Sequence, residues 1–363
     1  MVKRLTIALV VAALAAPQAL KAQTPDSSVS AGRLSSGSSL TNPAISVIGW
    51  FQAVGGNDST AQENPFELRE AELSFQAAVD PFTRADFFLS ASSEGLEVEE
   101  GTITWLALPG GGQLKLGKFR ADLGKFNRTH PPETPFADRP LSTAAFTGPE
   151  GLSTSGVSAS VLLPNPFDLY WDLIANAGTV PGAGESPVFE ATSRSDVLVL
   201  GRTSVFVPVR ESADLNLGLS YANAAAQPAL QSQGSRAMLG VADVTLRWKN
   251  PRRSIYRSLI ALAEITGERG SSSGAQRLLG GFGYVLYQCA RQWKLGARYD
   301  WTERPDAPEH ASGALALIQY QPSEFSTLSL QGRRVHDALT DRDFDSAFFK
   351  WTFNIGPHGA HPY

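Results

Sequence analysis

The sequence predicts an all-β protein, a transmembrane antiparallel β-barrel of sixteen strands with a long third outer loop folded inward. Three observations lead there. Apolar residues recur with a period of two from residue 44 onward, tight turns alternate with longer polar connections, and the polar faces carry charges that a dry core would not accept.

Ahead of the barrel, Lys3 and Arg4 precede an apolar run from Leu5 to Ala16, followed by Pro17 and Ala22. That pattern predicts a secretory signal peptide over residues 1–22, too short to span a bilayer as a helix. Residues 23–43 are rich in Ser, Gly and Pro and predict a flexible periplasmic leader with no core of its own. After it, no apolar run approaches the ~18 residues of a membrane helix. Residues 44–363 are expected to form the barrel. The single cysteine, Cys289, has no internal disulfide partner, and no histidine stands near it in sequence to activate the thiol.

Alternation defines the strands. Leu215, Leu217, Leu219 and Tyr221 alternate with Asp214, Asn216, Gly218 and Ser220; Trp293 to Trp301 and Phe349 to Ile355 repeat the pattern, and Phe167, Leu169, Trp171 and Leu173 are read the same way. The predicted strands run over about 44–54, 66–79, 82–92, 97–108, 113–119, 156–163, 167–177, 196–209, 213–224, 235–249, 254–267, 277–289, 292–303, 311–321, 325–336 and 343–355. Turn-forming residues close one end of the sheet at Asp80-Pro81, Pro109–Gly112, Pro164–Pro166, Arg210–Ser212, Asn250–Arg253, Ala290–Arg291 and Pro322–Glu324. The stretches 55–65, 178–195, 225–234, 268–276, 304–310 and 337–342 form longer loops at the other end. Short turns on one side and long loops on the other are the layout of outer-membrane barrels.

A soluble β-sandwich also alternates, but its strands are usually about five or six residues. Many strands here are long enough for a tilted crossing of ~25 Å. Their polar faces carry Glu70, Glu72, Arg202, Asp243, Arg247, Lys294, Arg298, Asp300 and Arg333, which a wide, wet lumen accommodates and a dry interior does not. Trp248, Tyr256, Trp293, Tyr320 and Phe325 sit near the turns, where an interfacial aromatic belt is expected.

The longest irregular segment runs from about Ala121 to Ser155. Loops of that length inside a compact domain usually carry function. Lys118, Arg120, Lys125, Arg128 and Arg139 lie on or beside it, interleaved with Asp122, Glu133, Asp138 and Glu150. These five bases are the candidate pore-constriction and anion-binding residues, because Arg offers a planar fork to phosphate or carboxylate. Salt bridges within the loop, such as Arg139 to Asp138 or Glu150, are the equally available structural role. Arg202, Arg298 and Arg333 are the candidate bases of the lumen wall.

Leu114-Lys115-Leu116-Gly117-Lys118-Phe119, Asp138-Arg139-Pro140, and Gly148-Pro149-Glu150-Gly151-Leu152-Ser153 running to Gly156 resemble the fifth strand and third loop of bacterial outer-membrane porins of the phosphate-selective (polyphosphate-selective) type. The resemblance is diffuse and covers roughly residues 44–363. It implies a sixteen-stranded channel, usually a homotrimer, whose inward loop bears the selectivity residues. The dense ladder of Arg and Lys in phosphate-specific members is replaced here by five bases and four acids over residues 118–155.

Other function classes lack support in the residues. A net charge of −4 leaves no footprint for nucleic acid. There is no Gly-x-Ser-x-Gly elbow, P-loop, dinucleotide fingerprint or His-Glu-x-x-His, so no enzyme and no cofactor is expected. His358 and His361 would need further ligands to hold a metal, and His130, His310 and His336 are expected on separate outer loops, so no metal is expected either. The expected function is a passive channel for small hydrophilic solutes or anions such as phosphate, embedded in outer-membrane lipid. The alternative is a non-conducting barrel serving as an adhesion or structural anchor.

Overall fold

A computed structural model of the chain describes residues 43–356, apart from 58–64, 94, 183–184, 192, 228–234, 271–276, 305–306 and 339. The expected signal peptide, the leader up to residue 42, and His358 and His361 lie outside the described residues.

Sixteen strands follow one another in chain order: β1 (Ala44–Gly56), β2 (Phe66–Asp80), β3 (Thr83–Ser92), β4 (Gly95–Leu108), β5 (Gly112–Arg120), β6 (Ser153–Leu162), β7 (Tyr170–Thr179) and β8 (Val197–Arg210). The second half comprises β9 (Ala213–Ala225), β10 (Arg236–Lys249), β11 (Ser258–Arg269), β12 (Arg277–Ala290), β13 (Trp293–Arg304), β14 (Ala307–Ser323), β15 (Ser326–Asp337) and β16 (Arg342–Ile355). Each pairs antiparallel with its sequence neighbours, and β1 pairs with β16 to close the barrel. Closure removes every sheet edge, which is what lets a β-structure sit in hydrocarbon.

The period of two becomes two faces. Along β9, Leu217, Leu219 and Tyr221 are exposed while Ser220 and Ala222 are buried. Along β10, Met238, Val244 and Leu246 point out, whereas Asp243 and Thr245 point in. Exposed apolar side chains outside and buried polar ones inside invert a soluble core, and are stable only when lipid covers the exterior. Near the tight turns, Tyr256, Trp293 and Phe325 are exposed, and Trp293 meets Tyr320 with ring centroids 4.8 Å apart. That is the expected aromatic belt.

Several local expectations change. Phe167 and Leu169 lie in the turn before β7, because the Asn165 side chain caps it by accepting the backbone N–H groups of both, and Asp168 takes φ +55°. Between β10 and β11 the connection extends to Arg257, whose N–H bonds the carbonyl of Arg253, so residues 254–257 are not strand. The predicted long loop at 304–310 is short, since β14 begins at Ala307 and His310 pairs with Glu303. His336 likewise lies within β15. The outer connection between β3 and β4 spans only 93–94, against the rule that outer connections are long. Ser153–Ser155 belong to β6, because they pair with Lys118–Arg120 of β5; the irregular segment therefore covers 121–152 and contains two 3-10 turns (Phe126–Arg128 and Pro131–Glu133) and one short α-helix, α1 (Leu141–Thr147).

The two-face arrangement yields a direct test. Leu217→Arg, on the exterior of β9, is expected to cost about 2–4 kcal/mol or to block assembly. Asn216→Arg, next in sequence but facing inward opposite Thr245, is expected to fold; detergent unfolding of both variants measures the difference, and equal tolerance would contradict the register.

Candidate functional site

The segment 121–152 is held by side chains from widely separated strands. The Gly124 N–H donates to Ser220 Oγ on β9 at 3.1 Å, and Glu264 Oε2 on β11 accepts the N–H groups of Lys125 (2.8 Å) and Phe126 (3.2 Å). Gly124 makes that approach possible. Its φ is +68°, and a Cβ there would fall 2.6 Å from Glu264 Oε2. Six residues later, His130 lies against Glu72 of β2 and Glu99 and Glu100 of β4. Then Lys350 Nζ of β16 donates to the carbonyls of Pro131 (3.2 Å), Thr134 (2.9 Å) and Phe136 (3.0 Å).

Asp138 is the next anchor. Its Oδ2 accepts from Arg298 Nη2 of β13 at 2.6 Å and from Arg333 Nη1 of β15 at 2.8 Å. Burial alone would raise this carboxyl, but the two guanidiniums hold it below the usual carboxylate range. Arg298 is paired a second time, to Asp300, whose Oδ2 also accepts the Leu141 N–H at the start of α1. The rings of Phe126 and Phe136 pack with inward-facing Leu262, Phe282, Leu315 and Leu317. Polar and apolar contacts thus tie one segment to β2, β4, β9, β11, β13, β14, β15 and β16.

These contacts decide what the sequence-predicted bases do. Lys118, in β5, pairs with the exposed Glu97 at 3.1 Å, an interaction of small worth. Arg120, at the end of β5, is buried, pairs with Glu99 at 3.1 Å and donates to the Glu150 carbonyl. Arg128 pairs with Asp122 at 3.1 Å. Arg139 meets the carbonyl of Glu150 and lies over the Phe126 ring, leaving Nε and Nη2 without hydrogen-bond partners. Of the wall bases, Arg202 forms a two-pronged pair with Asp243 at 2.7 and 3.1 Å; Gly218 makes room for it. Arg298 and Arg333 hold Asp138.

Lys125 differs. Its ammonium has no ion-pair partner among the described residues, and burial, with Arg128, Arg247 and Arg202 nearby, lowers its pKa to about 8. It borders a cavity of about 390 Å³ on the tight-turn side of the segment, together with Arg247, Lys294, Tyr284 and Glu133. Among the described residues Arg247 and Lys294 also have no ion-pair partner. They were legible in sequence as polar-face residues, but nothing local marked them as the unpaired ones. Toward the outer loops lies a second cavity of about 460 Å³, whose charged lining is Glu67, Glu70, Glu97, Glu99 and Glu150 against Arg69, Lys118 and Arg120.

A feature missed in sequence is an apolar filling on one side. Leu198, Leu200, Ala222, Ala224, Leu239 and Val241 face inward and pack with Leu123, Phe146 and Leu152 of the segment and with Val180, Val188 and Phe189 of the β7–β8 connection. The available signal was the loss of alternation in Val197-Leu198-Val199-Leu200 and in Ala237-Met238-Leu239.

Because Asp138 joins two wall arginines, Asp138→Asn is expected to lower unfolding stability by about 3 kcal/mol, the low end for a buried pair broken on one side, since Arg298 keeps Asp300. Denaturant unfolding of the detergent-folded barrel reads this directly. A change below about 0.5 kcal/mol, typical of a surface site, would mean the contact does not hold the segment.

No family model matches the chain. An uncharacterized protein of Aquifex aeolicus (strain VF5) is 26% identical over 340 residues, covering 83% of this chain and 71% of its own length. Among solved structures, the anion-selective porin from Comamonas acidovorans superposes with a TM-score of 0.58 at 11% identity, covering 86% of this chain and 100% of that one. The outer membrane channel DcaP of Acinetobacter baumannii gives 0.56 at 11% identity, with 86% and 96% covered. OmpF of Salmonella typhi, in complex with daunomycin, gives 0.58 at 10% identity, with 86% and 97% covered. At such identities the shared property is the fold: the chain is a closed sixteen-stranded antiparallel barrel, the architecture of these outer-membrane proteins.

Proposed function

We propose that the chain is a passive outer-membrane channel for small hydrophilic solutes, and that segment 121–152 lies across its lumen and forms the narrowest part. Support comes from the segment's anchors on strands at opposite sides of the barrel, β2 and β4 against β9 and β11. A chain that reaches both walls within a few residues passes between them. Water and solute then cross through what the segment leaves open.

Solute preference follows from which charges remain unpaired. Paired bases present little net field to a passing ion, whereas Lys125, Arg247 and Lys294 border one cavity without ion-pair partners among the described residues. That single observation favours anions, phosphate among them, on the tight-turn side. The carboxylates of the outer cavity oppose this preference at the entrance, so selectivity is mild. Catalysis has no part in this proposal. A homotrimer would use the aromatic surface over β1, β2 and β16, where the Phe51 ring stacks on Phe66, Trp351 and Phe353.

The competing function, a non-conducting anchor, draws on the apolar filling beside β8–β10. Conductance in a planar bilayer separates the two, since an anchor passes no current.

Replacing Lys125, Arg247 and Lys294 by Gln is expected to move the reversal potential in a KCl gradient toward cation preference. The same change at Arg252, Arg253 and Arg291, exposed at the tight turns, is expected to move it much less. Equal shifts would remove the cavity as the selective element. Lys125 is charged below about pH 8 and neutral above it. Anion preference should therefore fall as pH rises through 8, and Lys125→Gln should shrink that step to the part left by Glu133, which burial on the same cavity pushes up to about 7.

A further inference from the structure

His130 is buried, and its ring is approached by three carboxylates. Nδ1 lies 2.9 Å from Glu72 Oε2 and 2.5 Å from Glu99 Oε2, while Nε2 lies 2.8 Å from Glu100 Oε1. A ring nitrogen carries at most one hydrogen, so Nδ1 can serve only one of the two oxygens pressed against it. The hydrogen bond goes to Glu99. Glu72, only 1% exposed, is left with Oε2 accepting no hydrogen bond although that atom points at the ring. Glu70, two residues along the same face of β2, also has a buried Oε1 without a hydrogen-bond partner. Carboxylates outnumber cations here, since Arg120, 3.1 Å from Glu99, is the guanidinium that joins them.

Two carboxylate oxygens converging on one imidazole nitrogen are poorly arranged as an ion pair, and well arranged around a cation. The three atoms lie within 4.8 Å of one another. We propose that Glu72, Glu99 and His130 Nδ1 bind a divalent transition-metal ion of the Zn²⁺ type. Zn²⁺ takes imidazole nitrogen at about 2.0–2.1 Å and carboxylate oxygen at about 2.0–2.2 Å, so its donors stand roughly 3.3 Å apart. The two Nδ1–oxygen separations, 2.9 and 2.5 Å, reach that spacing by opening less than about 1 Å. The ion displaces the Nδ1 proton and supplies the positive charge the cluster lacks.

The surroundings fit this assignment. A metal-bound histidine ordinarily gives its other N–H to a carboxylate, which fixes the tautomer and raises the basicity of the ligating nitrogen. Glu100 stands at that position. A mixed nitrogen and carboxylate set favours a first-row divalent ion over Mg²⁺ or Ca²⁺, which seek oxygen ligands. Glu99 and Glu70 also border the outer cavity, which gives the ion a route in. Since the ligands come from β2, β4 and the segment, a bound ion staples the segment to the wall independently of Asp138.

The test is calorimetric titration of ZnCl₂ into the metal-free full-length barrel folded in detergent. One ion per chain is expected with micromolar affinity, and MgCl₂ should give no saturable heat. Glu72→Gln and His130→Asn should each weaken Zn²⁺ binding at least tenfold. His336→Asn, and His358→Asn combined with His361→Asn, should leave it unchanged. The gel shift on boiling reports whether each variant is a folded barrel, and Glu72→Gln, which keeps shape, serves if His130→Asn does not assemble. Failure to saturate with Zn²⁺, or wild-type binding retained in folded Glu72→Gln, overturns the proposal.

Discussion

Side chains on opposite walls of a sixteen-stranded barrel are too far apart to meet, so an inward-facing charge must find its partner elsewhere. Here segment 121–152 supplies much of that compensation. It brings an acid, Asp138, to Arg298 and Arg333; a base, His130, to Glu72, Glu99 and Glu100; carbonyls to Lys350; and amides to Glu264. The wall and the segment are electrostatic complements. Each compensates charge that the other would leave without a nearby partner.

That complementarity limits what is left for solutes. Bases engaged in holding the segment cannot also present a free donor to a passing anion, whatever their position in sequence. Selectivity, in the function proposed here, then falls to the few cations outside the pairing scheme, Lys125, Arg247 and Lys294, and to the partly unsatisfied guanidinium of Arg139. In that proposal the outer cavity, where acids outnumber bases, and the inner one, where bases outnumber acids, set a charge gradient along the solute's path. A bound metal at His130 would remove negative charge from the outer side and strengthen the anion preference proposed above.

The strands were legible because a lipid-facing exterior enforces a strict period of two over long runs, as in Leu215 to Tyr221. The segment was legible because nothing else in the chain breaks that period for so long. Its partners were not. The pair Arg298–Asp138 joins residues 160 positions apart, and no local pattern marks which inward charge meets which. The apolar filling was overlooked because a run such as Val197-Leu198-Val199-Leu200 still reads as a strand; its meaning, that both faces are covered, depends on a loop packing from inside. Turn details at Asn165 and Arg253–Arg257 were set by side-chain and backbone capping that alternation does not encode.

The central claim is that segment 121–152 narrows a conducting lumen. Single-channel conductance in a planar bilayer, wild type against a chain lacking residues 128–148, tests it most directly. The deletion removes Asp138 and α1 while keeping both flanking strands, so a clear rise in conductance is predicted. Equal conductance, or a wild-type barrel that passes no current before or after the deletion, would contradict it.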